Sequence, residues 1–306
     1  MGVNVNTTEL KLEAANISWG RGLCRSVQFV DDVAGSLDSE YFDLNTLDKD
    51  GNEVQYYAWL DNGTTSVDPA IAGKTGIAIS YSNGDNAATI ATAFVAAIDG
   101  MSNKEVFILS EANGKVTYEN VYVGPATAED YSNAPALTFE TLQEGFGGDL
   151  GGTNDGIELT VETQSTELKV NQKGELVLGE IFQGQLASVA CSLAEMTKER
   201  WETVIGGVTG DVYTPAGGTR LVGGGTSRLF KNLFDLGGRM ILNPIRLGKE
   251  DRSEDVIFWK SAPKPESVSY SGTEQQGMSV TFTAYNDNSK PAEISLWAQG
   301  DWTQDL

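Results

Sequence analysis

The stretch from Gly156 to Glu180, GIELTVETQSTELKVNQKGELVLGE, constrains what this chain can fold into more than any other. Apolar and polar residues alternate along it with the period of two that sends one face of a strand inward and the other outward. Ile157, Leu159 and Val161 fall on odd positions, whereas Leu168 and Val170 fall on even ones. A change of parity within a strand calls for a bulge or bend, expected here near Gln164 to Thr166. Asn171, Gln172, Lys173, Gly174 and Glu175 then read as a turn, and LVLGEIFQG as the strand that returns. The outward positions are Thr, Glu, Gln and Lys, and none of them resembles a chemical centre.

Composition removes most chemistry. The chain of 306 residues is long enough for one large domain or two ordinary ones. Its 40% hydrophobic and 21% charged content is that of a soluble globular protein. A net charge of −22 repels phosphate, which argues against a protein that grips nucleic acid. There is no histidine, so the usual general base, the usual zinc ligand and every Ser–His or Cys–His nucleophile pair are missing. Cys24 and Cys191 form no CxxC motif, and Cys191 alternates with Ala187, Val189 and Leu193 as a small buried hydrophobe would. No cofactor or metal is expected. The opening MGVNVNTTELKLEAANISWG lacks the basic region and apolar core of a secretory signal. The apolar run ATIATAFVAAI is too short to span a bilayer. A soluble chain made in a cytoplasm, with no membrane partner, is the expectation.

Charge marks a division. Residues 39 to 145 hold 16 Asp+Glu against 4 Lys+Arg, a net −12 that leaves −10 for the rest of the chain. An acidic α+β module at 39–145, inserted into a β host formed by 1–38 and 146–306, accounts for this shift. Within the module EVQYYAWLD and KTGIAISYS read as strands. GDNAATIATAFVAAIDG reads as a helix, with Asp85 as N-cap, Ile90, Phe94 and Ile98 on one face and Gly100 as stop. KEVFILSEANGKVTYENVYVG reads as a hairpin turning at EANGK. In the host, EMTKERWETVIGG reads as a short helix capped by Thr197 and ended by Gly206. The closing GMSVTFTAYNDNSKPAEISLWAQGDW alternates on both sides of NDNSK and predicts a hairpin.

Three motifs touch on chemistry. GGGTSR, from Gly223 to Arg228, carries Gly225 where a phosphate loop needs lysine, and reads as a mobile loop or one that contacts a neighbouring subunit in a ring. LDKDGNE resembles a calcium loop, but its end positions would be Thr46 and Tyr57, so a polar hairpin turn fits better. EDRSEDV groups carboxylates before a strand, a solvated loop that could bind a cation weakly or meet Arg239 and Arg246 across a subunit boundary. No pair of acids stands out for glycoside hydrolysis, and an enzyme is not expected.

Three stretches carry a likeness. The first is DLGGTNDGIELTVETQSTELKVNQKGELVLGEIFQGQLASVACSLAEMTKERWETVIGG, which gives a Gly-Thr-x-x-Gly opening, a strand, an Asn-Gln-x-Gly turn, a strand and a short helix. The second is GMSVTFTAYNDNSKPAEISLWAQGDW, and the third LKLEAANISWGRGL. Together they make the host resemble a bacteriophage major tail tube protein. The resemblance implies a β barrel or sandwich with one short flanking helix, assembled into rings, usually hexameric. The rings stack into the tube through which DNA leaves the virion, alongside other tail proteins, and the insert sits on the outside. It further implies that the long hairpin, with Asn171, Gln172, Lys173, Gly174 and Glu175 at its tip, reaches neighbouring subunits and rings. Acids facing the bore would let DNA slide without sticking, and strand alternation offers Glu158, Glu162 and Glu167. Other readings stay open. One is a carbohydrate- or surface-binding β-sandwich module using Tyr56, Tyr57 and Trp59 of the insert. Another is a decoration or tail-completion protein that forms one ring.

Overall fold

The computed structural model describes residues 3–12, 15–101, 105–169, 177–194, 197–209, 211–213, 216, 221–223, 229–249, 251–269 and 277–303. The chain is mainly β, with 50% strand and 12% helix. It divides into two compact units, Met1–Trp19 with Asp149–Leu306, and Gly20–Gly148. The acidic module therefore begins well before residue 39. The reason is β3 (Cys24–Gln28), which follows β1 (Val3–Leu12) and β2 (Ala15–Arg21) and pairs only within the second unit. Phe29 and Leu37 likewise lie in that unit's core.

In the second unit β4 (Tyr41–Leu47) and β5 (Glu53–Asp61) are antiparallel, and β6 (Thr75–Ser80) joins β5 in parallel. Next comes α1 (Ala87–Asp99), then β7 (Val106–Ala112), β8 (Lys115–Asn120) and β9 (Thr138–Gln143), which make a second sheet in the order β7-β8-β3-β9. The stripe Ile90, Ala91, Phe94 and Ile98 is buried, as a period of 3.6 requires. The Phe94 ring lies 5.6 Å from Phe29, 5.9 Å from Phe42 and 5.7 Å from Tyr118, in the tilted contacts aromatic rings favour. Asn86 is the N-cap in place of Asp85, and accepts from the Thr89 amide at 3.0 Å. Asp85 instead accepts from the Ser82 amide at 2.8 Å and closes the preceding turn. The β7–β8 turn sits on Asn113 and Gly114, both with positive φ (53° and 78°), the geometry of a tight two-residue hairpin.

One buried charge organises this unit. Arg25 is 1% exposed, pairs with Glu129 and donates to the Asn45 carbonyl at 2.7 Å and to Asn120 Oδ1 at 3.0 Å. Its guanidinium also lies over the Tyr118 ring at 5.3 Å. Paired and hydrogen-bonded on several sides, the charge is tolerable in the interior; losing a partner would not be.

The first unit is built on one sheet. After β10 (Phe146–Gly151) come the two longest strands, β11 (Thr153–Lys169) and β12 (Val177–Leu193). Then follow α2 (Lys198–Trp201), a small hairpin of β13 (Asp211–Tyr213) and β14 (Leu221–Gly223), and α3 (Leu233–Leu236). The chain closes with β15 (Gly238–Pro244), β16 (Val256–Ser269), β17 (Gly277–Tyr285) and β18 (Ala298–Gln299). The order β1-β11-β12-β17-β16-β15-β2-β10 is an open path with β18 beside β16, and no barrel closes. Thr197 caps α2 by accepting from the Arg200 amide, but the helix does not stop at Gly206; it continues in π geometry through Glu202–Thr209. The core contains Met278, Val280 and Phe282 of β17, and Trp19 stands against Phe282 at 6.1 Å while donating to the Ser261 carbonyl at 3.2 Å.

The predicted C-terminal hairpin does not form. β17 pairs with β12 and β16, and the segment after NDNSK turns at Pro291 before pairing briefly with β16 as β18. Pro291 has no N–H to give a ladder, and Ile294 donates its amide to the Pro291 carbonyl at 3.0 Å.

Candidate assembly surface

The long strands β11 and β12 form a hairpin arm whose inner and outer halves differ in support. β11 is flanked by β1 from Leu12 opposite Ile157 to Val3 opposite Thr166. β12 is flanked by β17 only over Ser188–Leu193. Toward the tip, from Gly179 to Ala187, the other edge of β12 has no strand among the described residues.

Cross-strand pairs define the faces, because directly opposed residues point the same way. Ile157 with Cys191, Leu159 with Val189 and Val161 with Ala187 form the inward face, where all but Val161 are buried. Glu158 with Ala190 and Glu162 with Leu186 form the outward face. The expected irregularity is present: Gln164 pairs with Gly184, and Ser165 with Phe182. The extra residue is Gln183 on β12, not a residue of β11. Gly184 stands beside it at φ +150°, a conformation other residues rarely adopt.

Two consequences correct the sequence reading. From Ile157 to Leu168 alternation along β11 runs on without a break, so Leu168 is outward and 47% exposed instead of rejoining the core. Glu167 lies on the face opposite Glu158 and Glu162, where it is paired with Glu180, a like-charge pair that weakens a sheet. The three acids therefore do not line one surface. Glu158 is exposed, and Glu162 and Glu167 are half-buried. Asn171, Gln172, Lys173, Gly174 and Glu175 lie outside the described residues.

Sequence reasoning missed the apolar character of the outer arm. Leu168, Ile181 and Leu186 share its outward face, each about half exposed, and Phe182, 62% exposed, points to the other side. The adjacent Ile181-Phe182 pair between Gly179 and Gly184 was the available signal, since neighbouring strand residues point to opposite faces and an apolar pair puts one side chain off the core face. Beside the unflanked edge of β12 lies a cavity of about 580 Å³, walled by Phe182, Gly184 and Gln185 on one side and by Asn286 and residues 292–299 on the other. The second wall is held by Trp259, whose Nε1 donates to the Ile294 carbonyl at 2.9 Å, and by Ser295, which donates to the Ala292 carbonyl at 3.2 Å.

The other candidate groups are satisfied locally. Arg246 pairs with Glu254 of its own chain, and Asp251 accepts from the Ser253 hydroxyl and from the Ser253 amide at 3.0 Å, which together hold its carboxyl below the ordinary value. Asp255 is buried and accepts from Asn243 Nδ2 at 2.7 Å and Trp302 Nε1 at 2.9 Å. Burial pushes its pKa up, and the two hydrogen bonds oppose that rise. Arg239 and Arg252 lie over the Trp302 ring at 5.7 and 5.6 Å. In LDKDGNE, Asp48 accepts from the amides of Asp50 and Asn52 at 2.8 Å each, an ordinary turn. Burial raises the Cys24 thiol to about 11 and the Cys191 thiol to about 12, so neither is a nucleophile at neutral pH. Among the described residues no cluster of Cys, Asp or Glu is placed to hold a metal ion, and no helix is long and apolar enough to cross a membrane.

Comparison of the chain with known protein families and with curated proteins finds no match to either.

Proposed function

We propose that this chain is the self-assembling subunit of a phage tail tube. Copies form rings, six to a ring as the resemblance implies, and the rings stack in the virion tail with other tail proteins to make a conduit for DNA. The observation that carries this reading is the arm: two long strands with four exposed apolar side chains and, among the described residues, one backbone edge of β12 without a flanking strand. An exposed strand edge beside exposed apolar residues is a template for association, and a monomer has no use for it. The role requires neither cofactor nor catalysis. The surface-binding alternative rested on Tyr56, Tyr57 and Trp59; Tyr56 and Tyr57 are buried, and Tyr56 donates to Glu105 Oε2 at 2.8 Å, so these two rings are not offered to a sugar.

The test is negative-stain electron microscopy of the purified chain across a concentration series, with and without gentle warming. Rings or hollow tubes are expected. Monomers throughout the series count against the reading.

A further inference from the structure

We propose that Phe230 of one copy seats in the β12 cavity of another copy, an inference that rests on the self-assembly reading and names its contact. Phe230 is 103% exposed, and Leu229 beside it is 60% exposed. Its backbone stands at φ 66°, a region a bulky residue rarely enters without something to hold it. At that exposure the ring has no contact among the described residues that could do so.

The cavity is the complement of this knob. Its volume of about 580 Å³ admits a benzyl group together with the Leu229 side chain, and Phe182, Ile294, Leu296 and Trp297 give it apolar and aromatic walls. Phe182 is itself largely exposed. Charge matches as well: exposed Lys231 follows the knob, and exposed Glu293 lies on the cavity wall. Phe230 and Leu229 do not line the cavity of their own chain. Knob and cavity are thus two different patches, and their union between copies is heterologous. Such a contact closes a ring under rotation and extends a filament otherwise.

Two singly substituted chains, Phe230→Cys and Ala292→Cys, each carry half of the contact, and the native thiols of Cys24 and Cys191 are buried. Mixed under assembly conditions with a short bismaleimide, they should give a cross-linked pair that neither gives alone. Phe230→Cys cross-linking to itself, or no cross-link in assembled material, overturns the proposal. Phe230→Gly relieves the backbone and should keep or raise the unfolding temperature while raising the concentration needed for assembly about ten- to a hundredfold. Lys231→Glu should also raise it, and adding Glu293→Lys should restore it. Val67→Ser, at an exposed position of the other unit, serves as the control and should leave it unchanged. An unchanged threshold in Phe230→Gly overturns this contact and leaves the subunit reading standing. A native chain that never assembles overturns both.

Discussion

The α1-centred core of the second unit and the outer half of the β11–β12 arm use the same kinds of residue to opposite ends. In the first, Phe29, Phe42, Phe94 and Tyr118 are withdrawn from water around one helix, and the buried cation Arg25 has its partners supplied from four directions. In the second, Leu168, Ile181, Phe182 and Leu186 remain in water on a hairpin that has lost one flanking strand. The first region is complete within one chain. The second leaves apolar side chains exposed in the single chain, and that asymmetry is the physical content of the assembly proposal.

The comparison breaks most visibly at Phe94. Phe94→Ala should destabilise the second unit by about 3–5 kcal/mol through the cavity it leaves. Hydrogen exchange should report the loss in the amides of Ala87–Asp99 and not in those of β11. Equal acceleration in both regions would show that the arm depends on this core. A step down in size, Asn86→Ala removes the cap and should cost about 1 kcal/mol, read as faster exchange in the first turn of α1. No change there would return the capping role to Asp85.

How much of this was legible depended on the range of the forces involved. The helix at Ala87–Asp99 and the turn at Asn113-Gly114 follow from neighbours in sequence, and both stood out. The bulge was legible in place but not in strand. Leu168 suggested a break in β11, yet the extra residue, Gln183, belongs to the partner, and only pairing reveals that. Ile294, Leu296 and Ala298 alternate like a strand, but Pro291 and a local turn prevail over a ladder that β12 and β16 already fill on β17. The boundary at Trp19 was hidden because β3 carries little net charge, while the partners that bury Arg25 are distant in sequence: Asn120 and Glu129. Of the candidate site, the arm was visible as a strand pair. Its apolar outer half was not, because burial cannot be read from alternation once the core on one side ends.

Acidity gives a smaller contrast, with opposite signs in the two units. Asp32 is buried, which would raise its pKa, but amides of Gly84, Leu37 and Gly35 with the Ser36 hydroxyl prevail and lower it. Its contribution to stability is therefore present above the ordinary value of 3.8 and lost as pH falls through the lower folded value. Asp255 has a raised pKa, so its contribution is full below 3.8 and lost as pH rises through the higher folded value. The deficit of Asp32→Asn relative to the native chain should shrink on acidification from neutral pH to below the ordinary carboxyl value, and that of Asp255→Asn should grow. Thermal melts at the two pH values check this, and deficits that move together would sink it.

The smallest effect on folding is expected where the largest effect on assembly is. Ile181→Ser with Leu186→Ser should change the unfolding free energy by no more than about 0.5 kcal/mol per site, because each side chain is already half in water and leaves no cavity. Leu159→Ala, three pairs further in than Leu186 on the same hairpin and 2% exposed, should cost about 2–5 kcal/mol. Denaturant titration under conditions where the chain stays monomeric measures both, and sedimentation at higher concentration measures association. If the outer pair proves as costly to folding as Leu159, the outer arm is packed in the monomer and its apolar residues need no partner. If folding is indifferent and association is lost, those residues are held in reserve for contact between copies. The hairpin then has an inner half that holds the subunit together and an outer half that holds subunits to each other.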